Sequence, residues 1–244
     1  MINNNDFKKH FNRAVVERFA DNYEFNRWFM SRRLRLDYFM SYYSIQFFAN
    51  RVKFSDFLEV GPGPGTWTRI FFRRCSDAKF DLVDISQEMK RQFFLEMRNQ
   101  ENINYIVADI AKYDFNKKYD FFFSSRAIEY FNDKDHFLEK IYNVLVSGAK
   151  GIIITKNPDI GFWGKSREGR KWQHTAQIKP KDLIIKLSKA GFKKIEAYPV
   201  IIRVPLFDRF TDFFANKIYM RWFNKPLKNT MINLCESYLI VFEK

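Results

Sequence analysis

The chain has 244 residues, of which 46% are hydrophobic and 29% charged, a size and composition that suit one folded core with additions. Its two cysteines, Cys75 and Cys235, have no zinc-ligand or disulfide spacing, so we expect reduced thiols and predict no metal site. No apolar run reaches the ~18 residues of a membrane span. The polar start, MINNNDFKKHF, lacks the apolar stretch of a signal peptide, and we therefore expect a cytoplasmic protein.

The formal net charge is +14, and 19% of the residues are aromatic. This combination is compatible with negatively charged partners: nucleic acid, an anionic membrane surface or a phosphorylated substrate. Lysine and arginine are concentrated between Lys165 and Lys228, whereas the segment from Phe54 to Asp135 is close to neutral. A basic surface that is merely solvated remains the alternative.

In chain order, residues 1–53 come first and show helical spacing of apolar side chains, beginning with Phe7, Phe11 and Val15; they predict an N-terminal helical cap. From Phe54 onward, short apolar runs alternate with helical patterns, which is typical of a parallel sheet covered on both faces. The predicted strands are 57–60, 79–84, 104–108, 119–124, 151–155, 192–200 and 237–242, and the predicted helices include 87–98, 134–145 and 181–190.

An insertion, residues 200–235, separates the last two predicted strands. Its apolar side chains recur at helical spacing and predict an amphipathic helix with an aromatic face: Leu206, Phe207, Phe210, Phe213, Phe214, Ile218 and Trp222. This face either packs on the domain, covers an apolar acceptor, or lies in the headgroup region of an anionic membrane. In the last case the protein would be peripheral at the inner membrane face.

The most informative segment is FLEVGPGPGTWT, residues 57–68, which is an apolar strand that runs into three alternating glycines. Glycine permits close approach of the backbone to a ligand, while Pro62 and Pro64 stiffen the loop. The spacing departs from the G-x-G-x-x-G dinucleotide fingerprint, and no Lys-Ser/Thr follows as in a P-loop. A preformed ligand-binding turn is therefore predicted.

Two acids follow at the ends of the next two predicted strands. Asp84 lies 19 positions after Gly65, about where a doubly wound fold places an acid against a ribose. Asp109 ends the third strand, at the edge where open α/β sheets collect their ligands. The alternative for either residue is a helix N-cap or a turn.

Together, the loop and the two acids resemble the motifs of the class I, Rossmann-like, S-adenosylmethionine-dependent methyltransferases, over residues 54–155 and more weakly in the C-terminal segments. The resemblance implies an α/β, doubly wound, mostly parallel seven-stranded sheet with the last strand antiparallel, in a domain of residues 54–244. It also implies S-adenosylmethionine as cofactor. The implied cofactor-binding residues are Glu59, Gly61, Gly63 and Gly65 at the methionine part, Asp84 at the ribose, Ile85, Asp109 and Ile110 at the adenine, and Ser125 and Arg126 at the border.

The chain departs from the family pattern after the fourth strand, where many relatives carry a histidine near the methyl group. Here the sequence is SSRAIEYFND, which places Glu129 and Tyr130 in that neighbourhood. Glu129 is therefore one candidate base, and Tyr130 a candidate substrate-binding residue. Structural roles for both residues, and catalysis without any base, stay open.

The second candidate base is His174, in the glycine-interrupted, basic segment GFWGKSREGRKWQHT after the fifth strand. In the same segment, Trp163, Arg167 and Arg170 are candidate substrate-binding residues, since guanidinium groups pair bidentately with phosphate or carboxylate. Solvated loop charges are the alternative.

Three functions remain open. The first is methyl transfer to an O or N atom of a small-molecule, saccharide or lipid-linked acceptor, which is favoured because the additions are caps around the cofactor edge. A nucleic-acid methyltransferase is less favoured, since SSRA stands where base-methylating relatives have an N-P-P-Y-type tetrapeptide. A binding protein without catalysis is the third.

Overall fold

The computed structural model describes residues 22–98, 100–158, 176–202 and 235–244. In these residues seven strands form one sheet: β1 Asp56–Val60, β2 Lys79–Asp84, β3 Ile103–Val107, β4 Tyr119–Ser125, β5 Leu145–Lys156, β6 Lys193–Ile202 and β7 Cys235–Glu243. The described helices are α1 Tyr23–Trp28, α2 Arg32–Ala49, α3 Thr68–Arg74, α4 Gln87–Met97, α5 Lys134–Val144 and α6 Pro180–Lys189, with a 3-10 turn at Ile128–Tyr130. No described helix combines the length and the apolar character that a membrane crossing needs.

The sheet has the strand order β3-β2-β1-β4-β5-β7-β6. Neighbouring strands from β3 to β5 are parallel, whereas β7 lies between β5 and β6 and is antiparallel to both. The predicted doubly wound, mostly parallel sheet with an antiparallel last strand is confirmed. The strand order reverses at β1 and β4, which is the switch point where open α/β sheets bind ligands.

Both faces of the sheet are buried, which explains why its central strands are almost continuously apolar. Successive side chains of a strand point to opposite faces. Phe57 and Phe121 therefore pack beneath α2 and α3, while Leu58 and Phe122 pack beneath α5. All four side chains are 0 or 1% exposed, so the edge that carries the loops rests on a closely packed base.

The two cap helices share this core. Trp28 of α1 and Tyr38 of α2 both contact Trp67, at ring-centroid distances of 5.3 and 5.4 Å. Glu24 of α1 forms an ion pair with Arg69 of α3. Since Trp67 and Arg69 directly follow the glycine loop, the cap is tied to the loop. The predicted cap residues before 22 lie outside the described residues.

β5 begins at Leu145, six residues before the predicted start. The pairing of β4 with β5 shifts between Tyr119↔Leu145 and Phe121↔Lys150, so the strand contains a bulge. The bulged backbone pairs with the chain end, because Gly148 N–H donates to the Lys244 carbonyl (2.8 Å) and Lys244 N–H to the Ala149 carbonyl (2.9 Å). This partner is remote in sequence, so local patterns do not reveal it.

The insertion is shorter at both ends than its predicted range of 200–235. β6 runs to Ile202 and β7 starts at Cys235, and these terminal residues are buried strand positions. Residues 203–234, including the predicted amphipathic helix, lie outside the described residues. β6 continues through Pro199, which is tolerated because β6 is an edge strand of the sheet.

Candidate active site

The glycine loop connects β1 to α3, and all three glycines have positive φ: +74°, +56° and +82° for Gly61, Gly63 and Gly65. Packing alone requires two of them. A Cβ on Gly61 would lie 2.6 Å from the Ala127 Cβ, and one on Gly65 would lie 2.6 Å from the Phe93 ring. A Cβ on Gly63 would make only an ordinary contact, 3.8 Å from Met89 Sδ, so at Gly63 the positive φ, and not packing, favours glycine.

Asp84, the last residue of β2, holds the middle of this loop. Its Oδ2 accepts from Gly63 N–H (3.1 Å) and its Oδ1 from Ser86 N–H (2.9 Å). Burial raises the pKa of Asp84 to about 6, against the opposing effect of these backbone donors. Each carboxylate oxygen has a second lone pair, so Asp84 can shape the loop and still accept from two ribose hydroxyls.

Tyr105 of β3 supports the loop from below. Its hydroxyl donates to the Gly63 carbonyl at 3.0 Å, and the side chain is 3% exposed. Burial raises the pKa of Tyr105 well above its usual value, so the hydroxyl stays a donor. Sequence reasoning did not single out this residue, although a tyrosine inside a predicted internal strand was a signal for a buried hydrogen bond.

Glu59 lies in β1 beneath the loop and is 1% exposed. Its Oε2 accepts from Thr68 Oγ1 at 2.7 Å, which ties β1 to the start of α3. Burial, with a smaller contribution from the charge of Asp84, raises the pKa of Glu59 to about 8. The carboxyl group is therefore mostly protonated at neutral pH. Its contact with the cofactor stays a prediction.

Three predicted adenine-side residues flank the ends of β2 and β3. Asp109 accepts from Ala111 N–H through Oδ1 at 3.0 Å, so it makes the turn contact that was the alternative to ligand binding. Ile85 is half-buried and has free surface for a ring. Ile110 is only 4% exposed and packs in the core. Ile85 is thus better placed than Ile110 for stacking.

Ser125 and Arg126 end β4 on the other side of β1, and both are half-buried. Arg126 has a φ of +69°, which is uncommon for a residue with a side chain and is often found at functional sites. The guanidinium Nη1 donates to Ser237 Oγ at 2.9 Å and lies 3.3 Å from Glu129 Oε1. Arg126 thereby joins the end of β4 to β7.

Glu129 lies in the 3-10 turn and is 1% exposed. Its Oε1 accepts from Thr155 Oγ1 (3.1 Å) and from Lys156 N–H (2.9 Å). These bonds support the structural role that was the alternative to a catalytic base. The neighbouring Tyr130 is half-buried, and burial raises its pKa above the usual range.

Tyr130 also lines a cavity of about 200 Å³ whose wall includes Ile110, His136 and Lys140. The cavity therefore borders the predicted adenine side of the edge. The other candidates, His174, Trp163, Arg167 and Arg170, lie outside the described residues, so their roles stay predictions.

α1 brings two further residues to this edge, Tyr23 and Arg27. Burial raises the pKa of Tyr23, and the charges acting on it are those of Arg27, Asp84 and Arg126. The pKa of Arg27 is lowered by burial and by Arg126. Neither residue was predicted, although Tyr-x-x-x-Arg places both on one face of a helix.

Lys156 ends β5 and is half-buried. Burial and then the nearby Arg126 lower its pKa to about 8, while Glu129 and Glu236 oppose the shift. A lysine at the end of the apolar run GIIITK was a usable signal that sequence reasoning did not use.

A glycine loop after β1, an acid at the end of β2 and a sheet with an antiparallel β7 define the class I methyltransferase fold. Residues 57–148 match the family model described as a methyltransferase domain. The resemblance predicted from the motifs is confirmed over these residues.

Among curated proteins, malonyl-[acyl-carrier protein] O-methyltransferase 1 of Ilyobacter polytropus is 33% identical over 98 residues, which are 40% of this chain and 37% of that protein. A second O-methyltransferase of the same name and organism, numbered 2, is 30% identical over 105 residues, 43% of this chain and 40% of that protein. The chain thus spans less than half of the length of the curated relatives it matches.

Solved structures share the fold over a longer range. Phosphoethanolamine N-methyltransferase 2 of Haemonchus contortus, in complex with phosphomonomethylethanolamine and S-adenosylhomocysteine, has a TM-score of 0.67 at 19% identity, over all of this chain and 60% of that one. A Thermotoga maritima methyltransferase described as a possible histamine N-methyltransferase has a TM-score of 0.64 at 17% identity, over 94% of this chain and 98% of that one. At these identities the likeness concerns the fold.

Proposed function

We propose that the chain binds S-adenosylmethionine along the carboxyl edge of the sheet and transfers its methyl group to an O or N atom of a small-molecule, saccharide or lipid-linked acceptor. The observation that carries the proposal is the bond between Asp84 and Gly63. It fixes the half-buried loop at Gly63 and leaves lone pairs of a carboxylate at the edge.

The residues present fit the cofactor. Ile85 at the end of β2 offers apolar surface for the adenine, Asp84 would accept from the ribose, and the partly exposed backbone of Gly61 and Gly63 would hold the methionine part. The cofactor supplies a methyl group on a sulfonium. By strand order its reactive end would point from β1 toward β4, so the acceptor would lie near β4 and β5.

The chemistry asks the protein mainly to align the acceptor with the methyl group and to exclude water. Positioning of this kind can contribute ~7 kcal/mol or more, and a general base typically adds a factor of ~10² to 10⁴ in rate. The base remains His174 or, less directly, Glu129, whose Oε1 already accepts two hydrogen bonds. His174→Ala should keep cofactor affinity and lose turnover if His174 removes the proton.

The acceptor class is proposed from the cap and from the relatives. α1 and its aromatic contacts with Trp67 cover part of the edge, which favours a small or flexible acceptor over a nucleic-acid duplex. The names of the relatives include a carboxylate-bearing malonyl group and a phosphate-bearing ethanolamine. Contact of the insertion with an anionic membrane remains a separate proposal, tested by co-sedimentation with anionic liposomes.

The test is calorimetry with S-adenosylmethionine and S-adenosylhomocysteine. Asp84→Ala removes two charge-assisted hydrogen bonds to ribose, each worth ~1.5 to 3 kcal/mol, and should weaken binding by about 100-fold or more. Asp77→Ala, in an exposed turn, is the control for the loss of one negative charge. It should bind S-adenosylmethionine with the affinity of the wild type. Unchanged affinity in a folded Asp84→Ala protein would overturn the assignment.

A further inference from the structure

Two cationic residues are gathered at Glu129, whose Oε1 lies 3.3 Å from Arg126 Nη1 and 2.9 Å from the Lys156 backbone nitrogen. A third, Arg27 of α1, acts electrostatically on Lys156. Arg27 comes from the cap, Arg126 from the end of β4 and Lys156 from the end of β5. Arg126 acts electrostatically on both others. Their sequence positions are far apart, so the fold alone creates this cluster, which we call the cation cluster.

Three acids act on the cation cluster, and they also have other partners. Of the nearby acids, Glu129 directs Oε1 to Thr155 and to the Lys156 backbone as well as to Arg126. Glu236 pairs with Arg33 at 3.7 Å, and Asp37 is a buried residue of α2 that acts on Arg27. Within the described ranges the Lys156 ammonium itself forms no ion pair. Partly desolvated positive charge of this kind favours a bound anion.

The position of the cluster points to the acceptor rather than the cofactor. In the strand order, the proposed ribose and adenine contacts lie at β2 and β3, and the methionine contacts lie at β1. Lys156 is two strands further on, at β5, on the far side of β4 from the glycine loop. The side chains of Ile152, Ile154 and Lys156 share one face of β5 by strand alternation, which is the face that the cap helix α2 covers.

We propose that Arg27 and Lys156 bind an oxyanion carried by the methyl acceptor, a carboxylate or a phosphate, beside Arg126. This inference rests on the proposed function, because it names the chemistry of the acceptor at the same site. Arg27 supplies a planar pair of donors, and Lys156 supplies a compact charge that adapts to either anion. The anchored oxyanion would hold the rest of the acceptor toward β4, where the methyl group is expected.

The affinity for the oxyanion should depend on pH. In the ligand-free protein the pKa of Lys156 is about 8, so the ammonium is present at pH 7 and is lost as the pH rises above about 8. The groups that face it are Arg27, Arg126, Glu129 and Glu236. Oxyanion affinity should therefore fall between pH 7 and pH 9, and Lys156→Gln should remove most of this fall.

The experiment measures binding of inorganic phosphate and of malonate to the full chain saturated with S-adenosylhomocysteine, at pH 7 and constant ionic strength. At least one of the two anions should bind to the wild type, and the stronger one identifies the group. Lys156→Gln and Arg27→Gln should each weaken that binding about tenfold or more, which corresponds to one charge-assisted hydrogen bond. Lys150→Gln, an exposed position on the same strand, should have no effect.

Several outcomes would overturn the inference. Absence of binding by both anions would do so, as would equal weakening by Lys150→Gln, which would indicate general surface charge. If Lys156→Gln and Arg27→Gln weaken S-adenosylhomocysteine binding but leave anion binding unchanged, the two cations bind the carboxylate of the cofactor instead. If the wild type does not bind S-adenosylhomocysteine, the proposed function itself fails. Should Arg27→Gln fail to fold, as judged by its melting curve, Lys156→Gln decides alone.

Discussion

The carboxyl edge of the sheet has two halves that are built differently. Over β1, β2 and β3, a glycine loop forms the edge, and the backbone N–H groups of Gly63 and Ser86 donate to Asp84. Over β4 and β5, long cationic side chains approach one another in a partly desolvated cluster. We call these the cofactor half and the acceptor half.

The two halves should respond differently to amino-acid substitutions. In the cofactor half, shape is fixed by glycines clamped against Ala127 and Phe93, so substitutions there should damage the fold. In the acceptor half, burial and neighbouring like charge lower the pKa values of Arg27 and Lys156, so removal of a charge should weaken anion binding and relieve the fold. The predictions below test this contrast, beginning with the largest expected effect.

Gly61→Ala should be the most damaging single change in the cofactor half. The new Cβ would lie 2.6 Å from the Ala127 Cβ at a φ of +74°. The backbone strain is ~1–2 kcal/mol and overpacking adds ~1–3 kcal/mol, so urea unfolding should show a loss of about 2–5 kcal/mol.

Gly148→Ala is the matched control for that prediction. Gly148 has a φ of +79°, but nothing lies within 4 Å of its added Cβ. It should show the backbone strain alone, ~1–2 kcal/mol. Equal losses in the two variants would mean that Ala127 yields easily, and that the cofactor half is less rigid than its geometry indicates.

The second prediction concerns the pH dependence of stability in the ligand-free protein. Glu59 has a folded-state pKa of about 8, raised by burial above the ordinary 4.5. The folded protein binds the proton more tightly, so this stabilisation is complete below pH 4.5 and is lost as the pH rises through 8. The slope is at most ~1.4 kcal/mol per pH unit, which gives a loss of roughly 5 kcal/mol over the whole range.

Glu59→Gln removes the titrating proton and keeps an oxygen that can accept from Thr68. Its stability should be nearly flat between pH 6 and 8, whereas the wild type declines. Glu101→Gln, at an exposed position, should follow the wild-type curve. If the stability of Glu59→Gln falls with pH as steeply as that of the wild type, loss of the Glu59 proton is not the cause of the fall. The titration of Asp84, whose pKa is about 6, should then be tested below that pH.

The two halves also differ in how far the sequence reveals them. The glycine loop, Asp84 and Asp109 were predicted because each belongs to a strand end or turn, where a few adjacent residues determine the local backbone. Tyr105 and Thr68 complete the cofactor half through side-chain contacts between different elements of the fold, from β3 to the loop and from α3 to β1, so their roles appeared only in the structure.

The acceptor half depends on contacts between distant segments. Arg126 and Ser237 are 111 positions apart and meet only because β7 inserts beside β5. The early start of β5 was not predicted for the same reason, because it depends on pairing with the distant chain end at Lys244. Periodicity and motif spacing report neighbours in sequence, and they therefore predicted the strands and the glycine loop but not the cation cluster.

The third prediction has the smallest expected effect and separates the two halves most directly. It is that Lys156→Met stabilises the folded protein. The folded-state pKa of Lys156 is about 8, depressed from 10.5 by burial and Arg126. A base with a depressed pKa destabilises the fold while it is protonated, so the destabilisation is complete below pH 8 and disappears as the pH rises through 10.5. Because Lys156 is only half-buried, the gain from Lys156→Met at pH 7 should be about 1 kcal/mol.

Urea unfolding at pH 7 measures this gain, with Lys150→Met as the exposed control on the same strand. Phosphate or malonate at a saturating concentration should then stabilise the wild type more than Lys156→Met, since an anion that binds only the folded state raises stability by mass action. The advantage of Lys156→Met should shrink or reverse under those conditions. A loss of stability in Lys156→Met without anion would contradict the contrast, because it would show that the lysine is compensated within the protein and that the acceptor half carries no unbalanced charge.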